Sequence, residues 1–306
     1  MNDRPFYLCF RDHPANPIIE PPRGTWLIGD PTIVPPDDSP DSRWHLFCNT
    51  LTAIHHYVSD DGIHWQKQGG PLFRGIRGCV RRWEGRFFLF YETFLRWRRR
   101  GIAVRSSLDL RDWSAPRLLL EPEHAWEGTV LPATSNPCAV RGEFGFRLYY
   151  SAANVVLWDT WVVEPRYISV AEADHVQGPY RKLGRPILAP AAHDRYANLG
   201  AGAIKVYASG KSFLGFQNGI YRDDAGRSRS AIRVLQSADG IAWEAASPGP
   251  ILAPTDHGWK RAFVYQLEVV RYRDEYRLYY NARDGWRRAT ERIGVAVAPI
   301  DDRTSD

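Results

Sequence analysis

The chain has 306 residues, 44% of them hydrophobic and 25% charged, a composition that folds and argues against disorder. Its 12 Trp, 15 Tyr and 13 Phe stand beside 22 Pro, 25 Gly and a single Met, which argues against a helical bundle and for short strands joined by tight turns. The formal charge of +5 suits an anionic ligand. The chain has no nucleic-acid motif, and the lack of an apolar run near ~18 residues and of an apolar leader after Met1 argues against a bilayer span, so that a cytoplasmic protein with no nucleic-acid or membrane partner is expected.

Read in chain order, one cadence recurs. A Pro-Ile or Pro-Leu opener precedes a polar loop, an apolar strand, a strand ending in aromatics, and a third strand that runs into a Ser/Asp turn and a Trp or Tyr. Pro17-Ile18-Ile19 starts the first unit, whose aromatic strand is Trp44-His45-Leu46-Phe47 and whose turn is Ser59 to Trp65. The second has Phe87-Phe88-Leu89-Phe90-Tyr91 and closes at Ser107 to Trp113; the third has Phe146-Arg147-Leu148-Tyr149-Tyr150 and closes at Ala173 to Tyr180. The fourth has Ser212-Phe213-Leu214-Gly215-Phe216 and closes at Ser237 to Trp243; the fifth has Tyr276-Arg277-Leu278-Tyr279-Tyr280 and ends with the strand Ile293 to Ala298. Five such units predict an all-β, five-bladed β-propeller with one four-stranded antiparallel sheet per blade. The blades fall at approximately 11–66, 67–114, 115–181, 182–244 and 245–300 of one domain. Residues 1–10, through Phe6 to Phe10, are expected to close blade five and cover its edge.

In a propeller, the loops leading into each innermost strand, and those joining second to third strands, gather at a central funnel, where a ligand is expected. These loops supply Trp26 and Asp30 in blade one, Arg77 in blade two, Trp126, Glu127, Asn136 and Trp158 in blade three, His193, Asp194 and Arg195 in blade four, and His257, Trp259, Arg261, Gln266 and Glu268 in blade five. Tryptophan faces stack on sugar rings and arginine forks bind carboxylate or phosphate. A solvated basic rim is the plainer alternative. Cys9, Cys48, Cys79 and Cys138 form no CxxC pair and read as reduced thiols. No histidine cluster has zinc-ligand spacing, so no metal and no cofactor is expected.

Asp30-Pro31-Thr32-Ile33-Val34, followed by a strand and the Ser-x-Asp-Gly-x-x-Trp turn, resembles the five-bladed glycoside hydrolases of families 32, 43, 68 and 130, as do Asn136-Pro137-Cys138 and Arg147-Leu148-Tyr149-Tyr150-Ser151. The resemblance covers nearly the whole chain as a repeat pattern. In family 43 it implies a first-blade Asp as general base, a third-blade Asp that tunes pKa and a fourth-blade Glu as general acid. Asp30 matches the first. Asn136-Pro137 stands in the third-blade slot, Ala201-Gly202-Ala203 in the fourth, and Cys79 where a second-blade Asp is frequent.

Glycoside hydrolysis needs two carboxyl groups about the scissile bond. Asp30 as base or nucleophile therefore needs an acid partner, for which Glu127, Glu268 and Glu92 are the candidates. The expected ligand is a small molecule or oligosaccharide, anionic or modified. Two other readings stay open: a biosynthetic transferase, cyclase or lyase using the same funnel, and an inactive sugar-binding propeller.

Overall fold

The repeated segments fold as antiparallel meanders in the computed structural model, which describes residues 9–129 and 131–300. The first meander takes Gly29–Val34, Trp44–Asn49, Ala53–Ser59 and Gln66–Lys67, with Phe73–Arg74 pairing to its third strand. The second takes Ile76–Trp83, Arg86–Phe94, Arg100–Ser107 and Arg117–Leu120. The third takes Thr134–Gly142, Gly145–Leu157, Val162–Ala173 and Arg181–Lys182. The fourth takes Gly200–Ser209, Ser212–Arg222, Ser228–Ser237 and Glu244–Ala245, and the fifth Phe263–Tyr272, Glu275–Arg283, Glu291–Pro299 and the N-terminal Arg11–Asp12. A single parallel pair, Ser230 with Phe263, joins the fourth and fifth into one eight-stranded sheet. First strands touch in chain order, and that of the fifth meander touches that of the first.

The second strands explain why the meanders stack. Every residue of Trp44–Asn49 is buried, so both faces of this strand are packed. Val34, Phe47 and Ile54 meet Val80, Leu89 and Tyr91 between the first and second meanders. Phe88 and Phe90 meet Leu148 and Tyr150 between the second and third. Burying one such ring contributes about 1.5–3 kcal/mol, and the recurrent aromatic triplets supply several per interface. The Ser/Asp turns add latches. Tyr279 donates to the carbonyl of Gly62 at 3.0 Å, and Tyr149 does the same to Gly240 at 3.0 Å, in each case from the preceding meander.

The outer strand of the fifth meander is Arg11–Asp12, paired with Val297 and Ala296. Of the expected closing segment, residues 1–8 lie outside the described residues, and Phe10 is buried in the core between the fourth and fifth meanders.

Candidate active site

Each first strand begins with a β-bulge. The ladder slips between Gly29 and Thr32, Ile76 and Cys79, Ser135 and Cys138, Gly200 and Ala203, and Val264 and Leu267. A bulge sets two residues against one and re-aims a side chain. Asp30, Arg77 and Asn136 occupy three of these positions with φ of 54°, 56° and 48°. Left-handed backbone is costly for such residues and persists where neighbours support it. Here the N–H of Asp30 donates to Asn281 Oδ1 at 3.0 Å, and that of Arg77 to Asn49 Oδ1 at 2.6 Å. In the fourth meander only glycine fits. Gly202 has φ 65°, and a Cβ there would lie 1.8 Å from the carbonyl oxygen of Asn218. The register also corrects one assignment. Arg77 is the second-meander equivalent of Asp30, whereas Cys79 aligns with Thr32.

Around the bulges lies a cavity of about 870 Å³. Of the residues named from the sequence, Asp30, Arg77, Asn136, Gln266 and Trp26 line it, and Gln266 donates to Asn136 Oδ1 at 2.8 Å. Two further carboxyls line it that sequence reasoning missed, Glu164 and Glu291. Both sit at the heads of third strands, just past the connections that carry Trp158 and Trp161 in the third meander and Trp286 to Arg288 in the fifth. Their position at that end of the strand was the available signal.

The three carboxyls have different surroundings. Burial raises Asp30 above its ordinary value, against the pull of the Arg77 guanidinium and the Asn49 amide. Burial pushes Glu164 up to about 7, against Arg77 and the Tyr265 hydroxyl, and the charge of Asp30 adds to the rise. Burial and then the charge of Asp30 push Glu291 up to about 8. Glu291 Oε1 accepts from Asn281 Nδ2 and packs against Gly29, where an added Cβ would lie 2.7 Å away. Among the described residues Glu164 has no carboxylate–cation contact within 4.0 Å, and the buried Tyr265 hydroxyl beside it completes no aligned hydrogen bond. Glu164 is thus a buried carboxyl open to the cavity and protonated near neutral pH.

The other predicted acids lie elsewhere. Glu92 is buried behind the cavity wall, with Arg77 on Oε2 and Arg100 on Oε1, each at 2.8 Å. Glu268 sits among the first strands, taking Thr32 at 2.9 Å, Tyr207 at 2.7 Å and Arg81 at 3.1 Å. Glu127 pairs with Lys182 at 2.8 Å and accepts from Tyr150 at 3.0 Å. Burial pushes the Glu127 carboxyl up, but the N–H of His124 and the Lys182 ammonium hold it below the usual range. None of the three lines the cavity. The reason is a saturated set of partners for each.

Several predicted binding residues also fall outside. The indole of Trp126 stacks on Tyr150 and donates to the carbonyl of Gly184 at 3.0 Å. Trp259 stacks on Tyr280 in the same way. Asp194 is held by Arg233 at 2.9 Å and caps the N–H groups of Tyr196 and Ala197. Arg195 reaches Asp224 at 3.6 Å, Arg261 lies over Trp286, and His193 and His257 are exposed. The lead-in loops of the fourth and fifth meanders run along their own sheets instead of entering the cavity. Trp158 packs edge to face on Trp161, and it is Trp161 that lines the cavity. Among the described residues no group of three His, Cys, Asp or Glu is arranged to hold a metal ion.

No family model matches the chain, and no curated protein matches it. Solved structures do. The catalytic domain of the Coprinopsis cinerea family 62 α-L-arabinofuranosidase superposes with a TM-score of 0.70 at 16% identity, covering 95% of this chain and 97% of that one. A family 130 structure, described with hydrolases that target β-1,2-mannosidic linkages in Candida mannan, gives 0.70 at 14% identity over 95% and 94%. An N-acetylgalactosamine deacetylase from F. plautii, in complex with blood group B trisaccharide, gives 0.63 at 12% identity over 96% and 94%. The chain therefore has the all-β fold of the propeller glycoside hydrolases, a fold that hosts more than one chemistry.

Proposed function

We propose that the chain is a five-bladed propeller enzyme that cleaves a glycosidic bond of an anionic saccharide in the cavity. Asp30 acts as general base or nucleophile and Glu164 as general acid. One observation carries this reading: two carboxyls, Asp30 and Glu164, open onto one cavity, both raised by burial against the pull of the Arg77 guanidinium, Glu164 to about 7 with the charge of Asp30 adding to the rise. Two carboxyls that share a site do not both ionise freely, so one keeps a proton to donate while the other serves as base or nucleophile. Glu291, tied to Asn281, positions the Asp30 bulge and carries a proton of its own. Support for an anionic group on the sugar comes from Arg74, Arg98 and Arg283, which line the cavity with no carboxylate within 4.0 Å among the described residues. The five-blade reading is supported by the cyclic contacts of the first strands.

The test is a panel of aryl glycosides and acidic oligosaccharides with wild type and Asp30→Asn. Release of sugar by wild type, and its loss in Asp30→Asn by about 10²–10⁴-fold, is the expected result. Equal rates for the two proteins remove Asp30 from the mechanism. A second reading, non-glycosidic chemistry on a sugar in the same cavity, is favoured by the deacetylase among the fold's neighbours; release of acetate from N-acetylated sugars added to the panel, with the glycosidic bond left intact, would establish it.

A further inference from the structure

Among the described residues ten large hydrophobic side chains are exposed, and seven of them lie at the cavity end of the molecule. All four exposed tryptophans are in this set. Trp97 is 90% exposed on the turn between the second and third strands of the second meander, and Trp158 and Trp161 are 65% and 64% exposed on the corresponding connection of the third. Leu131 and Val156 stand beside them. Trp97 and Trp161 are held in left-handed backbone, with φ of 59° each. Arg96 and Arg98 flank Trp97, Arg287 and Arg288 stand on the corresponding connection of the fifth meander, and these four exposed side chains have no carboxylate within 4.0 Å among the described residues.

The polar side chains of the third-meander tip face inward. Asp159 accepts from the N–H of Ser228 at 2.7 Å, Thr160 donates to the carbonyl of Leu157 at 3.1 Å, and Asn154 donates to that of Leu131 at 2.9 Å. A saccharide platform needs an open ring face with hydroxyl partners around it, and Trp158 and Trp161 instead meet at 84°. What remains outward is indole, aliphatic carbon and unpaired guanidinium. Tryptophan, apolar in body and polar at its N–H, settles at a lipid–water boundary, and arginine is drawn to anionic headgroups. We propose that the cavity end docks peripherally on an anionic lipid surface through the tips bearing Trp97 and Trp158, so that the cavity opens towards the headgroups. No helix among the described residues is long and apolar enough to cross a membrane, so the contact is one of surface tips. It stands independently of the chemistry in the cavity.

The test is sedimentation of the full chain with vesicles of phosphatidylcholine alone or mixed with phosphatidylglycerol, at about 0.1 M salt, following bound protein and the tryptophan emission wavelength. The expected result is binding to the mixed vesicles only, with a blue shift. A Trp97→Ala/Trp158→Ala variant, which removes exposed rings and keeps the thermal midpoint, is expected to lose about tenfold or more in apparent affinity, and Arg96→Gln/Arg288→Gln to lose binding in a salt-dependent way. Absence of binding to the mixed vesicles overturns the proposal. So does binding that survives the tryptophan variant unchanged and is displaced by a soluble acidic polysaccharide, which would identify a polyanion site, or concentration-dependent dimerisation that shields Trp97 without lipid.

Discussion

Replacing Glu164 by Gln keeps the shape of the side chain and removes its titration. In the folded chain burial holds this carboxyl protonated up to about pH 7, whereas its ordinary value is 4.5. The folded state therefore keeps a proton that the unfolded state gives up. Stability intact below about pH 4.5 is lost as pH rises through about 7. Two to three pH units at ~1.36 kcal/mol each make roughly 3 kcal/mol, a large share of a typical folding free energy. Urea unfolding followed at about pH 5 and about pH 8.5 reads this directly. Wild type is expected to weaken between the two, and Glu164→Gln to weaken by roughly 3 kcal/mol less. Glu291, held up to about 8, contributes to the slope left in the variant. Identical pH dependence of wild type and Glu164→Gln would refute the buried, protonated carboxyl.

Three further outcomes follow from the geometry. Gly202→Ala places a Cβ against the Asn218 carbonyl at positive φ and is expected to cost more than about 2 kcal/mol in chemical unfolding; a neutral substitution would mean that this bulge is absent. Glu127→Gln leaves Lys182 buried without its carboxylate and is expected to cost about 3–5 kcal/mol, while turnover by the folded fraction stays at the wild-type level. A loss of turnover per folded molecule would return Glu127 to the catalytic set. His56, buried against His45 and pushed down to about 3, stays neutral in the fold. Its contribution is complete above about pH 6.5 and disappears as pH falls towards 3. His56→Asn is expected to flatten the acid limb of the stability profile, and an unchanged limb would argue against a neutral buried imidazole.

The strands were legible because each meander repeats an aromatic second strand between packed neighbours, and a pattern such as Phe87 to Tyr91 has only one use in an all-β chain. Asp30, Arg77, Asn136 and Gln266 were legible because they head first strands, where the bulge turns them into the cavity. Glu291 has no neighbouring Pro or Gly to flag it, and Glu164, though followed by Pro165, sits in a third strand and not in a lead-in loop. Whether a third-strand residue faces the cavity depends on how the preceding connection folds, which composition does not reveal. The misplacements have a common cause. Trp126 over Tyr150, whose hydroxyl donates to Glu127 with Lys182 on that carboxylate, is matched by Trp259 over Tyr280, whose hydroxyl donates to Asp12 with Lys260 on that carboxylate. Both sets clamp a lead-in segment to the flank of its own sheet. In a linear sequence Trp126, Glu127 and Trp259 look like ligand-facing residues, because Tyr150, Lys182 and Tyr280, which occupy them, lie tens of residues away.

The division of labour between the two cavity carboxyls is tested most directly by turnover of paired substrates, one with a poor and one with an activated aryl leaving group, on the sugar that wild type accepts. A leaving group that departs without a proton does not need an acid. Glu164→Gln is expected to lose about 10²–10⁴-fold on the poor leaving group and to recover most of that on the activated one, while Asp30→Asn stays inactive on both. Equal losses for Glu164→Gln on the two substrates, or wild-type turnover by Asp30→Asn, would contradict the assignment of Glu164 as acid and Asp30 as its partner.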